Sequence, residues 1–543
     1  MTPTAFGAPT TYEDHALMYP HPTRGIARST RAMIASPHAL ATQIGLEVLR
    51  RGGNAIDAAI AANAVLAVVY PASCGIGGDA LWIVHEPKTG ATVAYNGGGA
   101  APQSATLEQV AHHGEMPIRD ALAVTVPGAV RSWYDVHAKH GSIDMAELLA
   151  PAEGYARDGF AVSDVAARYF ELNAELLLAD DDARALFLSR GTPRAGSIAR
   201  NEPLAESFAA IRRDGPHAFY DGAIGESIVA TLNAHGSTMT LDDLAAHRTE
   251  VMEPLRLAWR GLELIAHPPN SQGATTLMAL GAIAADAFAG EPAWTHHAIE
   301  AIKRAFHRRD ALFGDPRFVD TRVEDFLTPD GLRSMRASID ERALHERSPL
   351  GDGDTIALVV VDEDGRCVSL IQSLYMNFGS GIMAAGTGIF LHNRGAYFNT
   401  VPGHPNCFGG GKRPVHTLSP AMVFQDGKPK LVHGTMGADG QPQTQMQLIH
   451  NIFERGMSVQ QALDAPRWLH GRINVAEKLD SVRVESRMDP ALIADLERRG
   501  HEVTPIGAFE SLMGHAHAIL IDEELGTLAG GADPRADSAA LGL

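Results

Sequence analysis

Cysteine is scarce in this sequence, since its 543 residues include only Cys74, Cys367 and Cys407, with no C-x-x-C pair among them. Three thiols in so long a chain make a poor disulfide framework and favour a reducing compartment. Long hydrophobic runs are absent as well: no segment approaches 18 consecutive apolar residues, and the N-terminus lacks a basic start followed by an apolar stretch. We therefore expect no membrane partner and a cytoplasmic location.

Basic residues are the minority charge. The chain carries 64 acidic against 45 basic residues, a formal net charge of −19, and shows no basic stripe. Nucleic acids and anionic membranes are bound through clusters of Lys and Arg that release counterions, so we predict neither as a partner. With 45% hydrophobic residues, the chain is expected to be globular and to bury a large core.

Familiar cofactor and metal motifs are missing too. The sequence contains no H-E-x-x-H, no G-x-S-x-G and no P-loop, and the glycine strings at 75–80 and 409–414 do not fit a phosphate-binding pattern. The histidine pairs at 112–113 and 296–297 lack the spacing of zinc ligands, and adjacent residues on a helix point apart. We predict no metal and no cofactor, and structural or surface roles for these histidines.

Apolar periodicity predicts helices packed on sheets. Residues 38–69 indicate two helices around a Gly-Gly-Asn break, the second almost wholly apolar, and 140–245 is predicted to be mainly helical. Alternating residues predict strands at 255–266 and 421–434, each followed by a helix. The charged stretch 316–354 is predicted to be irregular. Elements in this order favour sheets sandwiched between helical layers over a parallel βαβ repeat.

A Gly/Asp-rich loop runs into a β-branched segment at 351–369, GDGDTIALVVVDEDGRCVS, and Thr355 stands at the junction. The segment predicts a hairpin closed at Asp364-Gly365. Thr355 has two interpretations: it caps the strand edge, or it becomes a nucleophile after cleavage of the Asp354–Thr355 bond. In the second case its new α-amine, with an unperturbed pKa of about 8, is the general base. From the residues alone the strand cap is the simpler interpretation.

Several longer motifs change this balance, because they occur together in one order along the chain. They are GGNAIDAAIAA at 52–62, SCGIGGDALW at 73–82, VTVPGAV at 124–130, HPPNSQG at 267–273, DTIALVVVDEDG at 354–365, FGSGI at 378–382, KRPVHTLSP at 412–420 and GTMGADGQPQ at 434–443. With these motifs the chain resembles, over nearly its whole length, the γ-glutamyltransferase family of self-processing N-terminal-nucleophile hydrolases.

The resemblance implies an α+β fold, the αββα four-layer sandwich of the N-terminal-nucleophile hydrolases. It also implies that Thr355 is the processing and catalytic threonine, and that the proenzyme cuts itself between Asp354 and Thr355. The products would be a large subunit of residues 1–354 and a small subunit of residues 355–543. The expected partners are thus these two fragments, held as one intertwined heterodimer, and a further dimer of such pairs is compatible with the sequence.

The resemblance assigns further roles near the threonine. Ser373 falls where the family keeps a second hydroxyl beside the nucleophile. Gly437 and Ala438 match the glycine pair whose backbone N–H groups form the oxyanion hole, and alanine donates this hydrogen bond as well as glycine does. His416 and Thr417 occupy positions where γ-glutamyl enzymes keep two serines near the substrate carboxylate.

The sequence departs from the γ-glutamyl enzymes where those bind an amino-acid head. The arginine that clamps the α-carboxylate is missing from YNGGGAAP at 95–102, the acidic residue for the α-ammonium corresponds to Tyr397, and an asparagine corresponds to Tyr375. Losing both charge partners disfavours a glutathione-type donor. Arg394, at a glutamine position of the same stretch as Tyr397, can bind a carboxylate bidentately, and a surface or structural arginine is the alternative.

These departures predict an amidohydrolase for a small-molecule amide that carries a carboxylate but no α-ammonium, as oxamate does. The variant motifs also resemble the family branch that includes oxamate amidohydrolase. Arg394, Tyr375, Tyr397, His416 and Thr417 would bind the substrate. The alternatives are a γ-glutamyl hydrolase or transferase that uses glutathione-type donors, a cephalosporin-type acylase, and an unprocessed binding protein that uses the cleft without chemistry.

Overall fold

The strands and helices come from a computed structural model, which describes residues 24–344, 354–471 and 481–543. The strands, numbered in chain order, are β1 Ala27–Ser29, β2 Met33–Ser36, β3 Asp79–Glu86, β4 Ala91–Asn96, β5 Phe160–Ala161, β6 Ile198–Ala199, β7 Glu250–Met252, β8 Leu255–Trp259, β9 Leu262–Ala266, β10 Asp354–Val361, β11 Cys367–Tyr375, β12 Met383–Ala384, β13 Ile389–Phe390, β14 Ala421–Gln425, β15 Lys428–Thr435, β16 Trp468–His470, β17 Val482–Glu485, β18 Val503–Ile506, β19 Ala516–Asp522, β20 Thr527–Ala532 and β21 Ala539–Gly542. The α-helices are Ala39–Arg50, Ala55–Val69, Leu107–Val110, Ala129–His140, Met145–Asp158, Asp164–Leu172, Ala174–Ala179, Asp181–Ala183, Glu202–Asp214, His217–Tyr220, Ala223–Ala234, Leu241–Ala245, Gly273–Ala282, Glu291–Leu312, Val323–Leu327, Pro329–Ala337, Gly440–Phe453, Val459–Asp464 and Pro490–Arg499.

Two seven-stranded antiparallel sheets occupy the centre of the fold. One has the order β1-β20-β19-β15-β14-β9-β8, and the other has the order β21-β2-β10-β11-β3-β4-β7. The strand order is far from the chain order, so each sheet combines segments from both ends of the sequence. The second sheet places β10 in its interior, as the third of its seven strands, between β2 and β11.

Apolar side chains fill three layers around these sheets. Met33, Ile83, Val359, Val432 and Ile519 belong to the core between the two sheets. The outer face of the β10 sheet packs on the helices of residues 39–69 and on helices of the 129–245 region. The outer face of the other sheet packs on helices between residues 273 and 339 and on those that follow residue 440. The architecture is therefore the predicted αββα sandwich, and the fold prediction is confirmed.

Strand β10 is apolar throughout because both of its faces are covered. Ile356, Leu358 and Val360 lie in the core on the helix side, whereas Val359 and Val361 lie in the core between the sheets. Successive side chains of a strand point to opposite faces, so the odd-numbered positions of β10 face the other sheet. This phase turns Thr355 toward the space between the sheets.

The apolar helix of residues 55–69 begins where the sequence supplies a capping box. Asn54 Oδ1 accepts hydrogen bonds from the N–H groups of Ile56 and Asp57, and the Asp57 carboxylate accepts one from the Asn54 N–H. All 15 residues of the helix are buried, as its composition predicts. The Ala55 N–H also donates to Asp362 Oδ2 at 2.9 Å, which ties the helix to the end of β10.

One sequence expectation about secondary structure is wrong. Residues 316–354 were predicted to be irregular, but the described part of this stretch contains the helices Val323–Leu327 and Pro329–Ala337. The second helix starts on local signals, since Thr328 caps it through the Gly331 N–H and Pro329 occupies its first turn. Residues 345–353, which include most of the Gly/Asp loop, lie outside the described residues.

The structure also bears on the absences noted in the sequence. Over the described ranges, no helix combines the length and the apolar character that a membrane crossing requires. The same ranges contain no cluster of His, Cys, Asp and Glu side chains suited to a metal ion. His112 and His113 are exposed, whereas His296 is buried and hydrogen-bonded to His501 at 2.8 Å.

Candidate active site

Thr355 is the second residue of β10 and is 1% exposed. Its Oγ1 donates a hydrogen bond to Ser373 Oγ on the neighbouring strand β11, at 3.0 Å, and Ser373 Oγ also accepts one from the Tyr375 N–H at 2.6 Å. The ladder shifts register between Asp354 and Ile356, so β11 has an extra residue opposite Thr355. The structure thus brings the predicted nucleophile and the predicted second hydroxyl together.

A buried carboxylate extends this pair across a third strand. Asp79 on β3 lies opposite Ser373 in the β3–β11 ladder, so Thr355, Ser373 and Asp79 share the face that points toward the other sheet. We call these three residues the nucleophile row. Asp79 Oδ1 accepts hydrogen bonds from the N–H groups of Gly99 and Gly128, at 3.2 and 3.3 Å. Sequence reasoning missed Asp79, although it lies in the glycine string at 75–80 and in the motif at 73–82.

Two histidines face Asp79. His416 Nε2 donates to Asp79 Oδ2 at 3.1 Å while His416 Nδ1 accepts from the Leu418 N–H at 3.3 Å, and His392 Nδ1 lies 3.4 Å from the same Asp79 oxygen. Burial raises the pKa of Asp79, but His392, His416 and Arg394 outweigh burial and lower this pKa to about 2. Burial and the charge of Arg394 lower the pKa of His416 to about 3. Both nitrogens of His416 are engaged by the protein, and its contact with substrate stays a prediction.

Gly437 and Ala438 come one residue, Met436, after the end of β15, which packs face to face with β10. A Cβ atom on Gly434 would lie 3.2 Å from the Ala357 side chain, so the two sheets approach closely beside Thr355. Gly437 has φ +121° and Ala438 has φ +45°, both in the region that favours glycine. Within the part of the chain that the structure describes, neither of their N–H groups donates a hydrogen bond. This turn has the features of an oxyanion hole, and that role stays a prediction.

Arg394 is buried, at 1% exposure, so the alternative of a surface arginine is wrong. It begins a 3₁₀ turn of residues 394–397, and its Nη1 donates to Thr417 Oγ1 at 2.9 Å. Its guanidinium carbon lies 4.2 Å from the centre of the Tyr375 ring, which is stacking distance for a cation on an aromatic face. Burial lowers the pKa of Arg394, yet a guanidinium stays protonated in proteins. Arg394 Nη2 has no hydrogen-bond partner among the described residues.

The two predicted tyrosines line the same region. The rings of Tyr375 and Tyr397 meet edge to face, with centroids 5.8 Å apart. Tyr397 Oη donates a hydrogen bond to Asp439 Oδ1 at 2.8 Å. Burial raises the pKa of Tyr397 well above its ordinary value, so the phenol stays a donor. The Tyr397 phenol therefore donates to a buried carboxylate, and its correspondence to the acidic residue of the γ-glutamyl enzymes stays a prediction.

Gln272 and Arg309 complete the surroundings, and sequence reasoning missed both. Arg309 is fully buried, and its Nη1 donates to Gln272 Oε1 at 2.5 Å and to Asp439 Oδ1. Gln272 Nε2 donates to the backbone oxygens of Thr417 and Ala438, each at 2.8 Å. Gln272 thus connects the turn of Gly437 and Ala438 to Thr417, the residue that accepts a hydrogen bond from Arg394.

These contacts close into a loop, which we call the recognition ring. Its members are side chains from different segments of the chain, joined by the hydrogen bonds and ring contacts given above: Arg394, Thr417, Gln272, Arg309, Asp439, Tyr397 and Tyr375. The ring meets the nucleophile row at Tyr375, whose N–H is bonded to Ser373, and meets the oxyanion turn at Asp439, the residue after Ala438. Gln272 and Asp439 lie in motifs noted in the sequence, but Arg309 has no local signal.

Comparisons with known proteins agree with this geometry. The family model "Gamma-glutamyltranspeptidase" matches residues 41–543. The chain is 41% identical to the glutathione hydrolase-like YwrD proenzyme of Bacillus subtilis and 39% identical to the oxamate amidohydrolase proenzyme of Klebsiella pneumoniae, in each case over 95% of this chain and 99% of the relative. The crystal structure of a cephalosporin acylase from Bacillus halodurans superposes with a TM-score of 0.90 at 34% identity, and the match covers 99% of both chains.

Proposed function

The chain belongs to the gamma-glutamyltranspeptidase family and is a self-processing N-terminal-nucleophile hydrolase; we propose that its substrate is a small amide that carries a carboxylate, of the oxamate type. The observation that carries this proposal is Arg394, a buried cation that lies on the Tyr375 ring and whose Nη2 has no hydrogen-bond partner among the described residues; Tyr375 itself comes two residues after Ser373 of the nucleophile row. A buried guanidinium beside a reactive hydroxyl is suited to hold a substrate carboxylate.

Processing comes first in the proposed reaction. Thr355 Oγ1 attacks the carbonyl carbon of Asp354, an N→O shift gives an ester, and water releases the new N-terminus at Thr355. The hydrogen bond that Thr355 Oγ1 donates to Ser373 Oγ supports this step, because it holds the Thr355 hydroxyl by its proton and leaves the lone pairs of Oγ1 available to attack the carbonyl carbon. The products are residues 1–354 and 355–543, which stay together because β10 is an interior strand of its sheet and pairs with β2 of the large fragment.

The free Thr355 then performs the substrate reaction. Its α-amine takes the Oγ1 proton, Oγ1 bonds to the amide carbon, and the substrate oxygen is stabilised by the N–H groups of Gly437 and Ala438. The C–N bond breaks as the amine returns the proton to the leaving nitrogen. Water then cleaves the acyl-enzyme and releases a carboxylic acid. No cofactor is required for any of these steps.

Asp79 is the positioning group in this scheme. It stays ionised at neutral pH and is already saturated by two backbone N–H groups and by His416, so it is unsuited to bind a substrate ammonium. Its donors come from the chain segments around residues 99, 128 and 416, and it fixes these segments around Ser373. Loss of its charge would leave several buried donors without an acceptor.

A comparison of two donors tests the proposed substrate class. The processed enzyme should hydrolyse oxamate with a kcat/KM well above that for a γ-glutamyl anilide, and glutathione should compete poorly. A clear preference for the γ-glutamyl anilide would contradict the proposal and favour the glutathione-type alternative. Turnover of a cephalosporin side chain in preference to both would favour the acylase alternative, which the cephalosporin acylase of similar fold supports.

A further inference from the structure

We propose that Asp439 determines substrate selectivity by accepting a hydrogen bond from the amide nitrogen of the anion that Arg394 holds. This inference rests on the proposed function, because it assumes a carboxylate bound to Arg394 and an amide carbon at Thr355. The proposal concerns a direct contact between Asp439 and substrate, in addition to the place of Asp439 in the recognition ring.

The two oxygens of Asp439 are used very differently. Oδ1 accepts hydrogen bonds from both Tyr397 Oη and Arg309 Nη1. Oδ2 is buried and has no hydrogen-bond partner among the described residues. Asp439 as a whole residue is 2% exposed, so solvent does not readily reach this oxygen. A structural role in holding Tyr397 and Arg309 is complete with Oδ1 alone. The second oxygen is therefore available for something the protein itself does not supply.

Arg394 shows the complementary feature. Its Nη1 is bonded to Thr417, whereas its Nη2 is buried without an acceptor in the described chain. A buried charged group that lacks one of its hydrogen bonds is costly, so two such atoms of opposite sign in one ring need an explanation. A single small ligand with a carboxylate at one end and an N–H group at the other would satisfy both atoms.

The recognition ring joins both atoms to the segments that surround the reacting carbon in the proposed function. Asp439 follows Ala438, one of the two residues whose N–H groups face the developing oxyanion, and Tyr397 joins Asp439 to the turn that carries Arg394. Thr355 attacks the amide carbon of the substrate, whose oxygen points to Ala438 and whose carboxylate points to Arg394. The amide nitrogen is then the one substituent of this carbon that has no assigned partner. We assign that nitrogen to Asp439, the residue after Ala438, because Asp439 Oδ2 is a buried acceptor that has no hydrogen-bond partner among the described residues.

Another candidate atom in the ring is Arg309 Nη2, which also lacks a partner among the described residues. Arg309 already bonds Gln272, Asp310 and Asp439, and its guanidinium lies on the Phe306 ring at 4.5 Å. These contacts hold it behind Asp439 as a counter-charge. Burial raises the pKa of Asp439, whereas the charge of Arg309 and the hydrogen bonds that Tyr397 and Arg309 donate to Oδ1 oppose this shift and favour the ionised form, which accepts hydrogen bonds.

The inference gives effects of opposite sign for two nearly identical ligands. Oxamate has a carboxamide group where oxalate has its second carboxylate. An ionised Asp439 would repel that second carboxylate. In processed Asp439→Asn enzyme, KM for oxamate should rise about 10-fold or more through loss of a charged acceptor. The inhibition constant of oxalate should fall several-fold, because the repulsion is removed. A purely structural role for Asp439 would weaken both ligands, and that result would overturn the inference.

A matched control and a second route keep this test decisive. Tyr397→Phe removes a bond to the other oxygen, Oδ1, and should shift oxamate and oxalate in the same direction. If Asp439→Asn does not yield a processed enzyme, wild type can be tested with N-methyloxamate and N,N-dimethyloxamate, which differ in one N–H. We expect kcat/KM to be about 10-fold lower for the dimethyl compound, and equal values would overturn the inference.

Failure of the proposed function would look different from failure of this inference. If wild-type enzyme neither binds nor hydrolyses oxamate, the substrate class is wrong and the role of Asp439 falls with it. If wild type hydrolyses oxamate but Asp439→Asn changes oxamate and oxalate alike, the substrate class stands and only the Asp439 contact is wrong. Calorimetric titration with both ligands measures binding independently of turnover.

Discussion

The nucleophile row and the recognition ring touch each other, but they are held in place in different ways. Thr355, Ser373 and Asp79 belong to three adjacent strands of one sheet, so backbone register alone sets their spacing. Apart from Tyr375 at the end of β11, the ring is assembled from loops and helices that are distant in the chain, and side-chain hydrogen bonds and aromatic contacts hold it together. A sheet keeps chemistry in register, whereas loops can change what is bound without disturbing that register.

This difference predicts which property each region controls. Changes in the row should abolish processing and turnover together, since both use Thr355. Changes in the ring should leave the chain processed and alter mainly KM and the choice of substrate. Variants that mix these two behaviours would show that the division is wrong.

The largest effect is expected from Thr355→Ala. Removing the nucleophile should leave one uncut chain and lower turnover by at least about 10⁴-fold, because no other group can form the acyl-enzyme. Gel electrophoresis under denaturing conditions and an oxamate assay measure the two losses. Thr355→Ser is the matched control, and it should retain a hydroxyl and some processing. A Thr355→Ala protein that is cut and active would show that the nucleophile lies elsewhere.

Arg394→Gln should have the next largest effect. The amide keeps part of the side-chain length but loses the charge, so KM for oxamate should rise roughly 30- to 150-fold, equivalent to about 2–3 kcal/mol for a charge-assisted hydrogen bond. The chain should still be processed. Steady-state kinetics of the cut enzyme measure the change in KM. An unchanged KM with a lower kcat would mean that Arg394 acts in the chemical step at the nucleophile row and not in substrate binding.

Gly437→Ala tests the turn between the two regions. A Cβ atom would meet nothing closer than 3.6 Å, so space is no obstacle, but φ +121° is strained for any residue with a side chain. A cost of about 1–3 kcal/mol at this position should lower kcat by roughly 10-fold as the N–H groups turn away. Ala438→Gly keeps the N–H and relieves φ +45°, so it should stay within about 2-fold of wild type. A loss in Ala438→Gly alone would contradict the oxyanion assignment.

Thr417→Val should have the smallest effect of this series. The substitution keeps the shape of the side chain and removes the hydroxyl that holds Arg394 Nη1 at 2.9 Å. Arg394 then loses one restraint but keeps the Tyr375 ring beneath it. We expect KM for oxamate to rise about 3- to 10-fold with kcat nearly unchanged. Pre-steady-state binding measurements would detect the change, and an effect as large as that of Arg394→Gln would mean that Thr417 contacts substrate directly.

The row was largely predictable from sequence, whereas the ring was predictable only in part. The β10–β11 hairpin followed from local turn chemistry, and it brings Thr355 and Ser373 together without any long-range contact. Asp79 escaped notice because a strand pairing 294 positions away in the chain aligns it with Ser373. Such non-local pairings leave no periodic signal in the sequence.

Burial explains what sequence reasoning could not decide about the ring. Arg394 and Arg309 are two among 45 basic residues, and nothing local distinguishes a buried arginine from an exposed one. Arg309 lies on a helix whose other arginines, Arg304 and Arg308, are only partly buried, and the approach of Asp439 and Gln272 distinguishes its position. The helices at 323–337 were missed for a related reason. Their composition is rich in charged residues, and each buries one residue fully, Val323 in the first helix and Met335 in the second.

The most direct test of this account is N-terminal sequencing and intact-mass measurement of the purified wild-type protein. We expect two tightly associated chains, one ending at Asp354 and the other beginning with a free α-amine on Thr355. A single intact chain that hydrolyses oxamate, or a cut at any other bond, would contradict the claim that Thr355 supplies both the nucleophile and its base.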